Sequence, residues 1–426
     1  MIQADLIVHG AAELVTLAGE NSRPRAGKAM SELGILRHGA LAARRGQIVW
    51  TGPSDELAAA VYPLAFAARI DATGKTVLPG FVDSHTHLLF AGSREREFAL
   101  RIQGKSAGEI AAAGEGFQTT VEATRQTSKE ELKRQAQQTL DRMLCLGTTT
   151  AEAKSGYGLT VGAEMKMLEA IRELSAEGPL TLIRTFMGAH LIPLEFHQNP
   201  EAYVDLVVTR MIPEVGARGL ARYCDVCCEE GAFSPAQAER ILKAGWQAGM
   251  EPRLHVDRQA NQGGAALAAR LKARTADHLL FASDDGIRQM AAAGVIAVLL
   301  PGTPYTLGMP QYARARDMIA AEVPVALATN LNPGNCMTES MPFIMNLACT
   351  QMRMRPAEAI IASTLNAAWA IGEQERIGSL AVGKQADLVI LDAPNHEHLC
   401  YHFGVNLVEA VVKRGKVLVE RGQRVR

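Results

Sequence analysis

Through the middle of the chain, short apolar runs alternate with longer stretches whose apolar positions recur at helical spacing. TVLPGFVDS, TTTAEAKS, LIRTFMGAH, YCDVCCE, PRLHVD, TADHL, VIAVLLP and VPVALATN read as strands, while SKEELKRQAQQTLDRML and SPAQAERILKAGWQAGM read as helices. Eight strand–helix units predict a closed (β/α)8 barrel of the TIM type over residues 76–372. An open doubly wound sheet is the alternative, but neither GxGxxG nor GxxxxGK[ST] follows the first strand. At the two ends the pattern changes to ADLIVHG and RGQIVWTG, then ADLVILDAP and RGKVLVERG. These short strands predict one small β-domain assembled from residues 1–75 and 373–426, with the barrel inserted between its halves.

The barrel reading makes a demand on chemistry, because loops at the C-terminal ends of barrel strands build active sites. Polar residues do gather there. His85 and His87 end the first run in VDSHTH, and two residues apart on a strand share a face, so both imidazoles point one way. Lys154 and Tyr157 follow the second run, His190 ends the third, His255 lies in the fifth, His278 ends the sixth and Asn330 ends the eighth. Three imidazoles from strands one and five can form a metal site with a position left for water, and a group from the last strand can complete it. The competing role for each is a rim histidine satisfied by hydrogen bonds.

Formal charge is near balance at -1, and no Lys/Arg block stands apart from neighbouring acids, so neither nucleic acid nor an anionic membrane is expected as a partner. The opening MIQADLIVHG carries Asp5 and no basic lead, which predicts no signal peptide. Seven cysteines, an odd number, with Cys227 and Cys228 adjacent and no second pair to partner the CDVC spacing, point to free thiols in the cytoplasm.

GFVDSHTHLLFAGSRERE, GTTTAEAKSGYGL, TFMGAH, HVDRQANQGG, TADHL and GSLAVGKQADLVILDAP together resemble the amidohydrolase superfamily, and within it the imidazolonepropionase family of histidine breakdown. The resemblance spans nearly the whole chain. It implies a β-sandwich from both termini, one Zn or Fe ion per chain, and hydrolysis of the ring amide of 4-imidazolone-5-propanoate to N-formimino-L-glutamate. His85, His87 and His255 would then be metal ligands, and His278 would hydrogen-bond water or substrate. Arg94, Tyr157 and His190 would hold a small acidic heterocycle, and Lys154 would be structural through an ion pair near Glu152. Arg94 also has Glu95 and Glu97 beside it, so a solvated ion pair is its competing role. A homodimer is the expected assembly.

Three positions depart from the family pattern. Asn330 stands where a metal-binding, proton-accepting Asp is usual; its amide oxygen can touch a metal but carries no charge and is no base. Arg258 stands where Glu or Gln follows H-x-D and is expected among the catalytic residues with His278 and Asn330, and Ala107 stands at a substrate-binding position where a Tyr is usual. These changes leave three readings open: a ring-opening amidohydrolase, a ligand-binding protein on the same fold, and a heterocycle deaminase.

Overall fold

A computed structural model describes residues 1–426 except Asn21 and Arg426. All eight expected barrel strands are present and form one parallel sheet in chain order: Phe81–Asp83, Thr148–Lys154, Thr181–Ala189, Tyr223–Cys228, Glu251–Val256, Thr275–His278, Ile296–Leu299 and Val325–Leu327. Every residue of strands two, four, six, seven and eight is buried, as a barrel wall covered by helices requires. The helices begin where capping chemistry places them. Ser128 accepts from Glu131 N to start Lys129–Cys145, and a Ser234–Gln237 capping box starts Pro235–Gln247.

The barrel opens later than the pattern suggested. TVLPGFVDS is not one strand: Thr76–Pro79 pairs with Ile2–Val15 and Leu388–Leu391 in a second sheet, and only Phe81–Asp83 joins the barrel. Gly80 makes the transfer, because a Cβ there would lie 2.4 Å from Thr149 Cγ2. The second sheet has nine strands drawn from both ends of the chain, with Leu6, Leu14, Leu41, Val77, Leu388 and Val412 in its core.

Strands one and eight close the barrel by individual contacts rather than a regular ladder. Thr329 donates from N and Oγ1 to the Asp83 carboxylate, at 3.1 and 2.6 Å. Asn330 N donates to His85 O at 3.0 Å and His87 N to Leu331 O at 2.8 Å. The helix Leu365–Ala370 packs across this seam, against strands one, seven and eight. Among the described residues no helix is long and apolar enough to cross a membrane.

Candidate active site

At the C-terminal rim the structure gathers His85, His87, His190, His255 and His278. Ring centroids of His85 and His255 lie 4.4 Å apart, those of His255 and His278 5.3 Å, and those of His85 and His87 5.4 Å. Donor atoms of His85, His255 and His278 fall within 4.8 Å of one another. His87 lies outside that trio and stacks on His190, at 4.8 Å and 15°.

Each histidine of the trio has a buried nitrogen with no hydrogen-bond partner: Nε2 of His85, Nε2 of His255 and Nδ1 of His278; His87 Nδ1 is in the same state. The opposite nitrogens of His85 and His255 are engaged. His85 Nδ1 lies 2.6 Å from Asp277 Oδ2 and His255 Nδ1 lies 3.0 Å from Asp225 Oδ1, which directs both Nε2 atoms inward. Burial, the Lys154 charge and neighbouring rings hold His85 well below its usual pKa, and burial with adjacent rings does the same for His87 and His278. His190 is pushed down to about 3 by burial and by His255. Imidazoles with unpartnered, converging nitrogens are the donor set a soft or borderline divalent cation takes.

Beneath the rings lies a fully buried ionic lattice. Lys154 Nζ is 2.7 Å from both Glu152 and Asp225, in keeping with its expected structural role, and Arg253 Nη2 is 3.2 Å from Asp277. Three carboxylates against two cations leave one formal negative charge, which also favours a cation among the rings. Burial alone would raise Asp225, but His255 and Lys154 hold it well below the usual carboxylate range. Sequence reasoning missed Asp225, Asp277 and Arg253. Their signal was a charged residue inside each apolar run, in YCDVCC, TADH and PRLHV.

Tyr157 is buried, 5.4 Å from the His190 ring and 5.9 Å from His87, and burial raises its pKa, so it stays a neutral donor. Its loop is fastened from beneath by Glu164, which accepts from the N–H groups of Gly156, Gly158 and Leu159. His190 Nδ1 meets Gly156 O at 3.0 Å. Arg94 Nε pairs with Glu97 at 2.6 Å, so the ion pair foreseen as its competing role exists. It is not a solvated pair, since both side chains are about nine-tenths buried, and the guanidinium packs on Gly334 of the loop after strand eight.

Asn330 is buried beside the cluster with its backbone at φ 54°, and its Nδ2 donates to Thr303 Oγ1 at 2.7 Å. His278 and Asp257 also hold positive φ, at 78° and 52°; such backbone strain concentrates at working sites. Arg258 is half-buried at the rim after strand five. Ala107 is not brought to the cluster: it starts the short helix Ala107–Ala112 and is exposed.

Residues 76–418 match the amidohydrolase family. The chain belongs to that family. Among its amidohydrolase relatives, the imidazolonepropionase of Geobacillus kaustophilus (strain HTA426) is 50% identical over 419 residues, covering 98% of this chain and 99% of that protein. The imidazolonepropionase of Symbiobacterium thermophilum (strain DSM 24528 / JCM 14929 / IAM 14863 / T) is 49% identical and covers 99% of each. Solved structures share the fold at lower identity. A 5-methylcytosine deaminase from Klebsiella pneumoniae gives a TM-score of 0.73 at 17% identity, covering 99% of each chain. A zinc-bound adenosine deaminase from Xanthomonas campestris gives 0.70 at 20%, covering 100% of this chain and 95% of that one. This amidohydrolase is a hydrolase of C–N bonds, and it carries a group of residues able to bind metal.

Proposed function

We propose that this amidohydrolase opens the ring amide of 4-imidazolone-5-propanoate to N-formimino-L-glutamate, and does so slowly because Asn330 replaces a carboxylate. What supports the reading is the set of converging, unpartnered histidine nitrogens in a chain half identical to imidazolonepropionases. His85 and His255 of the converging trio, joined by His87 through its own unpartnered Nδ1, would hold one zinc or iron ion, which leaves His278 to act on water. When bound, that ion polarises the ring carbonyl and acidifies water.

The chain's own groups do the rest. Arg94, oriented by Glu97, offers its remaining guanidinium N–H groups to the propionate. Tyr157 donates and the stacked His87–His190 wall orients the ring. The attacking water must lose a proton and the departing ring nitrogen must gain one. Asn330 can do neither, so the proton passes to His278, a weak base because burial disfavours its charged form.

The test is turnover of imidazolonepropionate by metal-loaded protein, with metal content measured in parallel on His255→Ala. Slow formation of N-formimino-L-glutamate, with most metal lost in the variant, is expected. A full metal equivalent in His255→Ala would overturn the metal site. Ammonia release from aminated heterocycles, with the imidazolone ring left intact, would assign the chain to deamination instead.

A further inference from the structure

Charge at the mouth of the site is out of balance. Arg258 follows His255 by three residues, and its backbone N–H donates to Glu229 Oε1 at 2.6 Å, just past the end of strand four. The side chain therefore starts at the rim between strands four and five. Among the described residues its guanidinium makes no hydrogen bond or ion pair, although it is half-buried and its charge acts on the rings of His190 and His278.

Nearby carboxylates are already engaged. Asp225 serves Lys154 and His255, Asp277 serves His85 and Arg253, and Glu229 takes the backbone N–H groups of Arg258 and Gln259. On the opposite flank Arg94 and Arg101 share the single carboxylate of Glu97. Asn330 adds no negative charge. A half-buried guanidinium whose anionic neighbour, Glu229, is taken up by backbone N–H groups carries a desolvation cost that a ligand's own anion would relieve.

We propose that this site is shaped for a cyclic amide carrying two acidic groups, one gripped by Arg94 and the other by Arg258. The inference rests on the hydrolase reading above and names its substrate class. A planar fork suits a carboxylate at each end, and the histidine cluster between them receives the ring.

The experiment is calorimetric titration of the metal-loaded full chain, at low salt, with two probes. One is hydantoin-5-propionate, with a single carboxylate; the other is the same hydantoin with a second carboxylate across the ring, as a carboxymethyl group on N3. The dicarboxylate is expected to bind about tenfold tighter or more, from one added charge-assisted contact. Arg258→Gln should abolish that ratio and Arg258→Lys should keep part of it. Because the ratio is read within each preparation, partial misfolding does not change it. Equal or weaker binding of the dicarboxylate by the unaltered chain, or an unchanged ratio in Arg258→Gln, overturns this inference and leaves the hydrolase reading standing. Binding of neither probe overturns that reading, and the inference with it.

Discussion

Asn330→Asp isolates what the site lacks. The amide and the carboxylate are nearly isosteric, and the local bonding can adapt: Nδ2 now donates to Thr303 Oγ1 at 2.7 Å, and in the variant the threonine hydroxyl turns to donate to the carboxylate. Backbone bonds around the position stay as they are, with Asn330 N on His85 O and Asn332 Nδ2 on Asn330 O. The only group added is a proton acceptor beside the histidine cluster. General-base assistance is worth about a hundred- to ten-thousand-fold, or roughly 2.7–5.4 kcal/mol of barrier. Rates of N-formimino-L-glutamate formation by the metal-loaded variant should rise over the unaltered chain by that order, with KM changed far less than kcat. Two results refute the reasoning: fast turnover by the unaltered chain, which would place an effective base elsewhere, or an inert variant that still holds its metal.

Asp277→Asn keeps the shape beside His85 Nδ1 but removes its charge, and metal affinity measured by chelator competition should fall about ten- to hundredfold; unchanged affinity would deny Asp277 an orienting role. Gly334→Ala places a Cβ 2.3 Å from Arg94 Nη1, so affinity for hydantoin-5-propionate should fall about tenfold or more, and calorimetry showing no loss would remove Arg94 from substrate binding. The metal-free protein should lose stability as pH falls below about 6.5. His85, His87, His190 and His278 have folded pKa values below their unfolded ones, so the unfolded chain binds more protons there, at about 1.4 kcal/mol per pH unit for each group. Asp83, raised to about 7 by burial, and Glu164 and Glu229, also raised, run the other way; four groups against three leave a net loss, and a flat urea midpoint between pH 7 and 5 would contradict it.

The barrel was legible because a parallel strand buried on both faces reads as an uninterrupted apolar run, and all eight such runs are strands. The same property hid the end of the first run, since residues 76–79 are as buried in the terminal sheet as residues 81–83 are in the barrel. The histidines were legible from their places at strand ends. The carboxylates behind them were not, because a single Asp within an apolar run gives no hint that its partner lies 192 residues away, as His85 and Asp277 do. Ala107 was placed by motif alone, and a motif carries no information on which way a short surface helix turns its first residue.

The seam between strands one and eight also bears on how the enzyme is made. Asp83 and Thr329 are 246 residues apart, and the contacts that join these strands run through the very segments that carry His85, His87 and Asn330. A nascent chain therefore cannot complete its metal pocket until the last strand has left the ribosome and docked. If the site holds its ion as proposed, barrel closure and readiness to receive the ion would coincide, and a truncated product ending before residue 325 should be recognisable by its failure to retain metal. In that sense the ion would act as a check that synthesis has finished.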